Sequence, residues 1–171
     1  MIIGWGKPRI IIRKIGSETY VELYTPVEDS TELTTTKGDK KEAKIEGGEN
    51  EAVKYSKNTY ALAATVRSGS ENGVTRKKPV SDSDGVVEGE YELWLQPENP
   101  EAPGLHMLRC VISVEDGWTA ADGGTWTYTF DAVKEAGHDQ VEWGKVTITG
   151  EYLKPTKVDF KEDTEPTTAN S

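Results

Sequence analysis

Apolar and polar positions alternate with period two along most of this chain, the spacing of strands that bury one face. The first such run is "RIIIRKI" (Arg9–Ile15) and the next is "TYVELY" (Thr19–Tyr24), with "GSE" as the turn between them. In the second run Val21 and Leu23 form the expected core face, opposite Tyr20, Glu22 and Tyr24. In "NTYALAATVR" (Asn58–Arg67), Tyr60, Leu62, Ala64 and Val66 alternate with Ala61, Ala63 and Thr65. Both faces suit burial, so a central strand is expected there, although the alanines also suit a helix. "VVEGEYELWLQ" (Val86–Gln96) sets Tyr91, Leu93 and Leu95 against Glu90, Glu92 and Trp94. "LHMLRCVISVED" (Leu105–Asp116) is the most hydrophobic run. "TWTYTFDAV" (Thr125–Val133) puts Trp126, Tyr128, Phe130 and Ala132 on one face, and "VEWGKVTITG" (Val141–Gly150) does the same with Val146 and Ile148.

The breaks are as informative as the runs. "PENPEAPG" (Pro97–Gly104) carries too many prolines for a helix or a central strand. The polar segment Ser68–Gly85 is long for a connection within a compact domain. Only "DAVKEAG" (Asp131–Gly137) offers a helix, and a short one. From Lys161 onward the ending is almost devoid of apolar residues and reads as a solvated tail. The pattern predicts an all-β fold: a β-sandwich or partly closed barrel of about eight strands with at most one short helix. One domain is expected over residues 1–160, followed by a tail at 161–171.

One stretch departs from the alternation. Residues 31–56 are densely charged and nearly free of large apolar side chains. "KKEAKIE" and "NEAVKYS" can pair around "GGEN", whose glycines accept positive φ. A two-stranded arm of this composition has little core of its own and is marginal in water unless something covers it. The reading is an extended, exposed hairpin arm, with Lys40, Lys41, Glu42, Lys44, Glu46, Glu49, Glu51 and Lys54 as its candidate contact residues. A plain surface loop is the competing reading.

Charge narrows the partners. The net charge of −10 opposes general binding to nucleic acid, which needs cations to displace counterions from phosphates. It equally opposes docking on an anionic membrane. The opening "MIIGWGKPRIIIRKIG" lacks the architecture of a signal peptide, and no run approaches the length of a membrane span. Cytoplasmic synthesis of a soluble protein is therefore expected.

Catalytic signatures are sparse. The chain has no phosphate-cradling glycine loop and no Gly-x-Ser-x-Gly elbow. One cysteine and two histidines fall short of a structural zinc site, so no metal or other cofactor is expected. Cys110 reads as a small buried hydrophobe. His106 shares its strand face but lies about 13 Å away at ~3.3 Å per residue, too far to serve as its base. Asp82 and Asp84 in "DSDG" resemble half of a calcium loop without the closing glutamate, which favours a polar turn. Carboxylates are so numerous that counting leaves a glycosidase-like pair open. Trp94, Trp118, Trp126 and Trp143 could stack on sugar rings. Three of them fall in alternating strands, where packing in a core or against a partner is the better reading.

The order of these features resembles the tail tube (major tail) proteins of long-tailed phages and prophages. The resemblance rests on the extended opening "GWGKPRIIIRKI", the polar stretch "PVEDSTELTTTKGDKKEAKIEGGE" before its hairpin, the middle strand "YALAATVR", and the late "GGTWTYTFDAVKEAGHDQVEWGKVTITG". Together these span most of residues 1–150. The resemblance implies a non-enzymatic virion protein. Six copies would form a ring, and rings would stack into a tube bound to other tail proteins, with DNA passing through as unbound cargo. It also implies inner sheets joined edge to edge, a hairpin reaching the adjacent subunit or ring, and a carboxylate-lined lumen that repels DNA. A supporting helix is usual in that family, and only Asp131–Gly137 could supply it here. The alternative class is a β-sandwich module that binds carbohydrate or protein. An enzyme ranks third, because no nucleophile–base pair is visible.

Overall fold

The computed structural model describes residues 1–163, and among them every regular element is a strand. No helix long and apolar enough to cross a membrane occurs among the described residues. The strands are β1 (Arg9–Lys14), β2 (Tyr20–Glu22), β3 (Glu32–Thr36), β4 (Lys40–Lys44), β5 (Asn50–Tyr55), β6 (Thr59–Arg67), β7 (Ser70–Glu71), β8 (Val74–Thr75), β9 (Tyr91–Gln96), β10 (Gly104–Thr119), β11 (Gly123–Ala132), β12 (Glu142–Glu151) and β13 (Lys154–Glu162). Nine of them form one antiparallel sheet. Its main path runs β2-β1-β9-β10-β11-β6-β3, and a branch carries β12 on β10 and β13 on β12. Two small hairpins, β4–β5 and β7–β8, stand outside it.

The all-β expectation holds, with no closed barrel. The main path wraps one core, built from Ile10 and Ile12 of β1, Leu93 of β9, Met107 and Ile112 of β10, Tyr128 and Phe130 of β11, and Leu62 and Val66 of β6. The segment after β2 bridges the two ends of the path. The Leu23 amide donates to the Ile10 carbonyl at 3.0 Å, and the Val27 amide donates to the Thr65 carbonyl at 2.7 Å. A second, smaller core lies on the opposite face of β1 and β9, where Ile11 and Trp94 meet Val146 of β12 and Val158 of β13.

Both faces of β1 are therefore buried, which accounts for its unbroken Ile10–Ile12 run. The same arrangement half-buries Tyr20 and Val21 of β2 and fully buries its end, Glu22 and the following Leu23. Leu23 enters the main core as its spacing suggests. Glu22, on the face opposite, is buried as well and is held by Arg9 (Nε to Oε1, 2.6 Å) and by the Leu153 amide (2.7 Å).

Three expectations need correction. Asp131 and Ala132 are not helical: they end β11, paired with Val111 and Cys110, and a turn with Gly137 at φ 79° follows. His106 and Cys110 do not share a face. Between them β10 carries a β-bulge, for Met107 pairs with Leu93 while Cys110 pairs with Tyr91. The extra residue reverses the parity of the strand. His106 thus faces the small core and Cys110 the main one. The main sheet, with nine strands, agrees with the expected count of about eight, and the two small hairpins add four short strands. Lys161 and Glu162 belong to β13 and not to a tail, and residues 164–171 lie outside the described residues.

Candidate functional site

The charged stretch resolves into two parts. Glu32–Thr36 is strand β3, which pairs with β6 at the edge of the main sheet. The hairpin proper is β4–β5, whose strands pair only with each other. Every residue of both strands is exposed. Gly47 and Gly48 sit in the turn with φ of 95° and 84°, as the GG pair requires. At the root, a Cβ on Gly38 would come within 1.9 Å of the Ser56 carbonyl oxygen, so only glycine lets the two arms converge there. The Ser56 amide closes the root on the Asp39 carbonyl at 2.8 Å.

The register sorts the side chains. Lys40, Glu42 and Lys44 share one face with Val53 and Tyr55, and Lys41 and Lys54 lie opposite each other on the other face. Glu42 is paired within its own strand, with Lys40 at 2.5 Å and Lys44 at 3.8 Å. Lys41, Lys54, Glu46, Glu49 and Glu51 form no ion pair among the described residues. Four lysines and four glutamates make the hairpin neutral on a chain of net charge −10. Lys37 lies over the Tyr55 ring at 5.4 Å, near the root.

The other candidates are placed as follows. Trp94 is buried, stacked on His106 at 5.5 Å and capped by the Arg13 guanidinium at 5.5 Å. Trp126 packs against the main core. Trp118 and Trp143 are 75% and 51% exposed, and Trp5 is exposed too. His106 Nε2 lies 2.8 Å from Glu92 Oε2, and Glu92 in turn accepts from Arg13 at 2.5 Å. His106 Nδ1 is 3.4 Å from Glu142 Oε1. The Arg13–Glu92–His106 contacts run across β1, β9 and β10, and the His106 ring packs on Phe160 of β13 in the small layer. Cys110 lies on the other face, so the two cannot act as base and nucleophile. Burial first, and then the Asp131 and Glu90 carboxylates, push the Cys110 thiol up to about 12.

Asp82 in "DSDG" accepts from Lys78 Nζ at 2.7 Å and from the Gly85 amide at 2.9 Å. Both contacts hold its carboxyl below the ordinary range. These contacts make the segment a fastened turn. Its neighbour Val80 is buried in the main core, so the long polar segment is anchored at that point.

No protein-family model matches this sequence, and no curated protein matches it. The functional reading therefore rests on the geometry of the chain itself. Among the described residues, β4–β5 is the longer of the two hairpins that pair with no strand of the main sheet.

Proposed function

We propose that this chain is a structural subunit of the phage tail tube type, which self-assembles into hexameric rings stacked as a DNA conduit. The observation that carries the reading is the hairpin Lys40–Tyr55. Its strands pair only with each other, both its faces are exposed, and it is neutral on an acidic body. Two-stranded hairpins of this kind need cover, and a neighbouring copy supplies it without the charge repulsion that the rest of the surface would produce. The strand β3 at the end of the main path, with its threonines exposed, offers an edge for pairing between copies. In an assembled tube the remaining acidic surface would let DNA slide without binding. Other tail proteins would cap or initiate the tube.

Negative-stain microscopy of concentrated protein tests this reading. Rings or tubes are expected, and their loss on removal of the hairpin would identify it as the contact. Dispersed single particles at every concentration would refute self-assembly.

A second reading, a β-rich module that binds carbohydrate or protein, draws support from the exposed Trp118 and Trp143. Retention on a glycan matrix, lost on replacement of either tryptophan, would favour it.

A further inference from the structure

Copies of a chain with net charge −10 repel one another, so any self-contact must set opposite charges together locally. The hairpin is polarised in the way that requires. Lys40, Lys41 and Lys54 lie toward the root, whereas Glu46 and Glu49 flank the Gly47–Gly48 turn at the tip, with Glu51 just behind them next to Asn50, the partner of Lys44. Beside them Ile45 is 46% exposed. A surface matching this tip would offer free ammonium groups around an apolar floor.

A cleft of about 520 Å³ at the root of the hairpin has that character. Its walls include Lys57, Tyr60, Lys134 and the half-exposed Trp143. Lys57 forms no ion pair among the described residues, and Lys134 is bonded only to the His138 carbonyl. Asp139 is the one carboxylate in the lining. The walls are fixed in place, because Gln140 donates to the Asn58 carbonyl at 2.9 Å and the Gly38 amide donates to Asn58 Oδ1 at 3.1 Å.

Building on the reading of the chain as a self-assembling subunit, we propose that this cleft seats the hairpin tip of a second copy. Ile45 rests on the Trp143 indole, and the tip glutamates approach Lys57 and Lys134. Tip and seat are different surfaces of each copy, separated by the hairpin's length of about 25 Å at ~3.3 Å per extended residue. A hairpin therefore cannot fill its own seat. The contact is head-to-tail, the kind that propagates into rings or filaments.

Charge reversal tests the pairing in the full-length chain. One variant carries Glu46→Lys, Glu49→Lys and Glu51→Lys, and the other carries Lys57→Glu and Lys134→Glu. All five positions are exposed, so circular dichroism should match the parent. Each variant alone sets like charges against like and should need at least about tenfold more protein to assemble. Mixed in equal amounts, the two restore both opposite-charge contacts, and assembly should return. Assembly of either variant at the parent's concentration, or a mixture that stays dispersed, would overturn the seat while leaving self-assembly intact. Failure of the parent chain itself to assemble would instead overturn the underlying reading. If Trp143→Ala abolishes glycan binding and leaves assembly unchanged, the cleft is a sugar site and the proposal falls.

Discussion

Removing the hairpin should leave the domain standing. The perturbation is deletion of Lys40–Tyr55 with two glycines bridging Asp39 to Ser56, whose backbones already share a 2.8 Å hydrogen bond. Every strand residue removed is exposed, so no core apolar area is lost. The connection between β3 and β6 shrinks from about 22 to about 8 residues, and loop closure scales as (3/2)RT ln n, which favours the shortened chain by about 0.9 kcal/mol. Against this stands the Lys37–Tyr55 contact at 5.4 Å, worth about 0.5 kcal/mol at an exposed site. The two terms nearly cancel, so urea unfolding should place the deleted chain within about 1 kcal/mol of the parent. Light scattering on the same samples should show assembly abolished. A loss beyond about 2 kcal/mol would mean that the hairpin supports the core and would refute the reasoning.

Phe130→Ala empties the centre of the main core, where Phe130 is fully buried beside Tyr128, and should cost about 3–5 kcal/mol in urea unfolding. Glu22→Gln removes the carboxylate that serves Arg9 and the Leu153 amide. With Arg9 partly solvated the expected loss is about 1–3 kcal/mol, accompanied by faster hydrogen exchange at Leu153. Cys110 should resist thiol reagents until the protein unfolds. Its raised pKa also fixes a sign: the unfolded chain loses this proton near 9 and the folded chain only near 12, so stability is full below about 9 and falls as pH rises toward 12. Burial raises Tyr91 and Tyr128 in the same direction. Alkaline unfolding followed by fluorescence should show this decline, shallower in Cys110→Ala.

Long alternation made the central strands readable. The faces of β6, β9 and β11 follow their spacing, with Leu62, Leu93 and Phe130 all entering the main core. The hairpin was readable from its paired glycines and charged arms. The bulge in β10 was hidden because "LHMLRCV" is apolar at both parities, so period two alone could not reveal a skipped residue. Strand β13 was hidden because Pro155 and alternating charges mask it, leaving only Val158 and Phe160 to pack. Proline is tolerated there because β13 pairs only with β12 and lies at an edge. Threonine-rich β3 carries a single half-buried Leu33, too little for a strand signal. The cleft at Trp143 gathers residues from 56–60, 134 and 139–143. No local pattern links these segments, and only the sheet topology brings them together.

The central claim is that this chain builds a homo-oligomer through its hairpin. Mass measured by light scattering over a wide concentration series tests it most directly. The account predicts a rise from single subunits to sixfold rings and larger stacks, absent in the hairpin-deleted chain. A constant single-subunit mass up to the highest concentration would contradict it.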